Sequence, residues 1–177
     1  MRRFLPLLPL LLLLAACGSA GGSARLGGGI SAPIECAPFA RALSGVQLRG
    51  AAADWWWQAD GRYRRSYTPE VGSVLVLQRT GRLPSGHVAV VTQVVSSRQI
   101  LVTQANWVHH RVTEDQPVID VSPDNDWRTV RVWWPPSGQM GVTDYPAHGF
   151  IRAARPASHE GIAQATPGAI RAAMNGW

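Results

Sequence analysis

The chain has 177 residues, long enough for one domain with a single core and too short for two full ones. Hydrophobic residues make up 46%, which excludes a disordered protein. The formal net charge is +6 and every positive charge is an arginine, but beyond the leading Arg2 and Arg3 only Arg62, Arg64 and Arg65 lie close together. That leaves no basic stripe interleaved with aromatics, so nucleic acid is not an expected partner, and a basic surface fits a membrane or a cell-wall polymer instead.

The N-terminus has the layout of a secretory signal. Arg2 and Arg3 supply the positive start, and Phe4–Leu14 is an apolar stretch interrupted by Pro6 and Pro9. It is too short to be a transmembrane helix of about 20 residues. It ends in Leu14-Ala15-Ala16-Cys17-Gly18, which resembles the lipobox of bacterial lipoproteins. The resemblance implies lipidation of Cys17 and a periplasmic protein anchored to the envelope membrane. Cleavage after Ala20 is the competing reading and gives a secreted protein. A signal peptide is therefore expected over 1–17, a flexible Gly/Ser/Ala-rich tether over 18–32, a folded domain over 33–152 and a partly helical tail over 153–177.

The domain opens with a helix. Cys36, Phe39, Ala40 and Leu43 fall on one face, Pro38 suits the first turn and Gly45 the stop. Cys36 thus stands at a helix N-terminus, where free N–H groups favour a thiolate, and Glu35 opposes this if its carboxylate turns toward the sulfur. Ala51–Ala59 is a second helix, ended by Gly61; of Trp55, Trp56 and Trp57, two are expected to pack and one to stay half exposed. From Thr68 the pattern becomes β. Ser73–Gln78, His87–Val95, Gln99–Gln104, Pro117–Val121 and Arg128–Trp134 read as a sheet of about five strands, with a hairpin around Ser96-Ser97-Arg98 and Trp127 in the core. Helices first and strands afterwards argue α+β with an antiparallel sheet. After Pro135-Pro136 periodicity is lost, except for a short helix over Ile162–Met174 broken at Pro167-Gly168.

With Cys17 lipidated or removed, Cys36 has no partner within the chain. A lone thiol in an exported protein is a buried small hydrophobe or a reactive group. His87 opens the apolar run Val88-Ala89-Val90-Val91, which can hold an imidazole at a cleft edge. Cysteine and histidine on separate elements are the minimum set for thiol catalysis.

These pieces, ECAPFAR, SVLVL, GHVAVV and VTQANW in that order, resemble the CHAP family of cysteine- and histidine-dependent amidohydrolases and peptidases. The resemblance runs from about Ile34 to Trp134. It implies a papain-like α+β fold and peptidoglycan as substrate, cut at the N-acetylmuramoyl–L-alanine amide or at a peptide bond of the stem or cross-bridge. It implies Cys36 as nucleophile, His87 as general base and acid, and Asn106 as the residue that orients His87. Many members carry an acidic residue two places before that asparagine; here the place is Gln104, the alternative orienting residue. Period-two alternation puts both amides on the histidine's face, with Asn106 the closer and expected within hydrogen-bond reach.

Other signals carry less. Asp120, Ser122, Asp124 and Asp126 alternate like a calcium loop, but Asn125 and Arg131 stand where an EF-hand needs Gly and Glu, so a solvated turn is the reading. Adjacent His109 and His110 have no metal-ligand spacing. No cofactor or metal is called for, and a monomer is expected. Two rival readings share the fold: a non-catalytic wall-binding lipoprotein, and a thiol amidase acting on an amide outside peptidoglycan.

Overall fold

A computed structural model describes residues 34–154 and 158–175. The expected signal peptide, the lipidation site Cys17 and the tether lie outside the described residues. The first helix, α1, spans Cys36–Ser44; Gly45, in the left-handed region at φ 75, ends it and donates its N–H to Arg41 O. Its face of Phe39, Ala40 and Leu43 is buried. A single turn of 3-10 helix, Ala52–Asp54, leads into the short α2, Trp55–Gln58. Trp55 and Trp56 are buried and Trp57 is exposed.

The strands are β1 (Arg64–Ser66), β2 (Val74–Leu77), β3 (His87–Ser96), β4 (Gln99–Ala105), β5 (Val112–Asp120), β6 (Thr129–Trp134), β7 (Gln139–Met140) and β8 (Tyr145–Arg152). Every pairing is antiparallel. The order is β1-β8-β2-β3-β4-β5-β6-β7, and β8 also pairs with β6. Six strands therefore close into a barrel, with β1 and β7 as additions. The expected five-stranded sheet is corrected to eight strands, and the α+β class stands. The missed strand that closes the barrel is β8. Pro146 and Gly149 disguise its alternation, yet Gly149 is required: a Cβ there would meet Ser66 O at 2.6 Å and the Trp56 ring at 3.0 Å.

β3 alternates between two cores. Val88 and Val90 face α1 and the outer cluster, with Val74, Val76 and Ala105. Ala89 and Val91 face the inner cluster, with Leu75, Leu77, Ile100, Val102 and Phe150. Each buried valine, leucine, isoleucine or phenylalanine among these contributes about 1.5–3 kcal/mol, so a one-residue slip of β3 would be strongly opposed. Trp127 is buried in the inner core as expected.

The last helix, α3 (His159–Asn175), runs through Pro167 instead of breaking there. Ile162, Thr166 and Ala169 form its buried face, and α3 packs on α1. Pro167 sits on the exposed side, where solvent can satisfy the carbonyl that the missing N–H leaves free. The Asp120–Asp126 segment is a turn: Asp120 Oδ1 accepts from Ser122 N–H and hydroxyl at 2.9 and 2.6 Å, and Arg98 donates to Asp120 Oδ2 and Ser122 O. No metal-binding group of side chains occurs among the described residues.

Candidate active site

His87 is fixed from the chain behind it. Gly86, at φ 72, has no room for a side chain: a Cβ would lie 2.6 Å from Ala53 Cβ and from Leu77 O. Ala53 N–H also donates to Ser85 O at 3.0 Å. The turn that launches β3 is thus pressed onto the 3-10 helix, and the ladder pairs His87 with Leu77. The side chain joins the inner face and is only 4% exposed.

On that face Gln104 meets it. His87 Nε2 lies 2.9 Å from Gln104 Oε1. An amide oxygen only accepts, so Nε2 carries the proton and the Nδ1 lone pair is left as the base. Gln104 is itself buried, and its Nε2 has no partner among the described residues. Trp107 lies against the imidazole, ring centroids 5.1 Å apart, and is held by its own indole N–H to Trp133 O at 3.0 Å and by the edge of Tyr145.

Asn106 does not make the contact expected of it. The β3–β4 turn pairs Ser96 with Gln99, and two bulges shift the pairing to Val91↔Val102 and Val90↔Thr103. Continued unchanged, that register would set Asn106 opposite His87. β4 ends at Ala105, however, and Asn106 adopts the left-handed conformation (φ 61), which asparagine tolerates better than most residues. Its N–H donates to Arg111 O at 2.8 Å, closing a tight loop. Its Oδ1 accepts from His110 N–H, and its Nδ2 donates to Glu35 Oε2, both at 2.9 Å. The orienting contact therefore belongs to Gln104, whose extra methylene spans the diagonal.

Cys36 is half-buried at the first turn of α1 and packs against the outer cluster. Burial pushes its thiol up to about 11, the N–H groups of Val88, Ala37 and Cys36 itself pull the other way, and Glu35 adds to the rise. The helix start pulls toward the thiolate and Glu35 away from it, the directions their positions suggest, and burial is the largest effect. Burial likewise pushes His87 down to about 4, against the opposing pull of Gln104. Both shifts favour the uncharged form, a thiol at Cys36 and a neutral imidazole at His87. The Cys36 sulfur, on α1, sits by the Val88 N–H, one residue along β3 from His87, and no hydrogen bond joins the two side chains among the described residues.

A cleft of about 720 Å³ opens beside His87, lined by Arg82, Leu83, Asn106, Trp107, His109, Trp134 and Tyr145 among others. Cys36 is not among its lining residues. Trp107 and Tyr145 were not legible as site residues. The ANW order is the one hint of the former, and nothing in the aperiodic stretch before β8 marks the latter.

Residues 27–106 match the family model for the CHAP domain, a span that holds Cys36, His87, Gln104 and Asn106. No curated protein matches the chain. Among solved structures, the crystal structure of Ly7917 with the hydrolysing product of MDP is 17% identical, covers 73% of this chain and 90% of its own, and has a TM-score of 0.32. The crystal structure of Ly7917 alone gives 16%, 75%, 91% and 0.31.

Proposed function

We propose, for a chain that carries a CHAP domain, that it is a thiol-dependent peptidoglycan hydrolase of the bacterial envelope, an N-acetylmuramoyl-L-alanine amidase or a stem or cross-bridge endopeptidase. The observation that carries this reading is the bond from His87 Nε2 to Gln104, which leaves Nδ1 bare one residue from the backbone N–H that faces the Cys36 sulfur. A papain-like arrangement of helix-borne cysteine and strand-borne histidine goes with it.

In this reading His87 Nδ1 takes the thiol proton as Sγ attacks the amide carbon. The first-turn N–H groups of Cys36 and Ala37, which have no acceptor inside the helix, face the developing oxyanion. The imidazolium then gives its proton to the leaving amine as the C–N bond breaks, and water hydrolyses the thioester. Gln104 holds the ring without adding charge.

Purified peptidoglycan incubated with the mature domain should yield fragments with one new amine and one new carboxyl end, identified by mass analysis, and Cys36→Ser should yield none. Fragments unchanged in the serine variant would refute the nucleophile. We also propose that Cys17 is lipidated: labelled palmitate should enter the wild type and not Cys17→Ala, and label retained in that variant would refute it.

A further inference from the structure

We propose that Glu35 is the specificity-determining residue of this site: its carboxylate receives an ammonium group that the substrate carries near the scissile carbonyl, and this binding frees the thiol to ionise. The proposal rests on reading Cys36 as the nucleophile.

Glu35 immediately precedes Cys36 and takes the N-cap position of α1, yet its side chain makes no capping bond. It is half-buried and turns instead toward the β4–β5 loop, where Oε2 accepts from Asn106 Nδ2 at 2.9 Å. Asn106 lines the cleft and Glu35 does not, so the carboxylate sits behind the lining, joined to it through the Asn106 side chain. Its described partner is a neutral amide; no arginine or histidine pairs with it among the described residues. A partly buried carboxylate held in place by a neutral amide keeps its charge and is a fitting partner for a cation. Among the described residues Glu35 is the charge that acts on the Cys36 thiol, and it opposes the thiolate. An ammonium on Glu35 would cancel that opposition at the moment a substrate is seated. The substrate class that fits is a peptide with a free amino group, on its terminus or on a diamino-acid side chain, close to the bond that is cut.

Two measurements test this without using turnover, so they stand whether or not peptidoglycan is hydrolysed. Glu35→Gln keeps an acceptor for Asn106 and removes the charge. Iodoacetamide should label Cys36 in that variant roughly five- to tenfold faster than in the wild type at pH 7.5. Asn106→Ala, which breaks the clip and keeps the charge, should not reproduce the gain. Equal labelling in wild type and Glu35→Gln would overturn the proposal. In the second measurement, the Cys36→Ser protein is titrated calorimetrically with the peptide Ala-Glu-Lys-Ala bearing free amines and with the same peptide acetylated on both. The free-amine peptide should bind at least tenfold tighter, and Glu35→Gln on the serine background should erase the difference. No binding of either peptide, no preference, or a preference that survives Glu35→Gln would overturn it.

Discussion

The two faces of β3 treat the two reactive groups by the same means and to opposite effect. On the outer face the Cys36 sulfur lies among α1, Val88 and the aliphatic cluster, where burial and Glu35 hold it protonated. On the inner face His87 is enclosed by Trp107 and Gln104, where burial holds it unprotonated. Loss of solvent favours the uncharged form of each. A carboxylate at position 104 would have stabilised an imidazolium; the amide that stands there fixes the ring's direction and leaves its charge off. In the proposed mechanism the His87 ring is set in direction by Gln104 before any charge develops, and charge separation comes with the attack of the thiol.

The largest way to break this arrangement is to remove either group. Cys36→Ser and His87→Ala should each lower hydrolysis by a factor on the order of 10⁴ or more, with circular dichroism of Cys36→Ser unchanged. Acid should break it next. The folded His87 binds its proton at about 4 and an unfolded histidine at about 6.5, so below pH 6.5 the unfolded state takes up protons that the folded state refuses. Its contribution to stability is complete above that range and lost as pH falls toward 4, about 3 kcal/mol in all. Urea unfolding of wild type and His87→Gln at pH 7 and pH 4 should show that loss in the wild type alone. The acid limb of activity should fall near pH 4 for the same reason.

A smaller change sharpens the contrast between the two amides. Gln104→Ala frees the imidazole to rotate and should lower turnover roughly tenfold, about 1.4 kcal/mol in the barrier. Asn106→Ala should cost less than about threefold, since its side chain bonds Glu35 and His110 N–H and not the histidine. Equal losses in the two variants would mean that the ring is steered by the loop as much as by Gln104.

These two amides also mark where the sequence ceased to be legible. Period-two alternation correctly put Gln104 on the histidine's face, because a strand's side-chain direction is set by backbone geometry alone. Asn106 failed the same rule because β4 stops one residue earlier, and a left-handed turn residue obeys no alternation. Helix α1 was readable from Cys36 to Gly45, since its apolar face, first-turn proline and terminal glycine all agree. The strand β8 was not, because its residues answer to the barrel closure and to the Trp56 ring, contacts remote in sequence. Cys36 was found as a lone thiol, but its protonation depends on burial by α1, β3 and β4, which no local pattern announces.

The neutral pair held by Gln104 is tested most directly by nitrogen NMR of the His87 ring. At pH 7 the wild-type protein should show a neutral imidazole with the proton on Nε2 and a bare Nδ1, and Gln104→Glu should shift its titration toward neutrality. An imidazolium at pH 7 in the wild type would reveal a preformed ion pair with Cys36, and a proton on Nδ1 would remove Gln104 as the acceptor; either result contradicts this account.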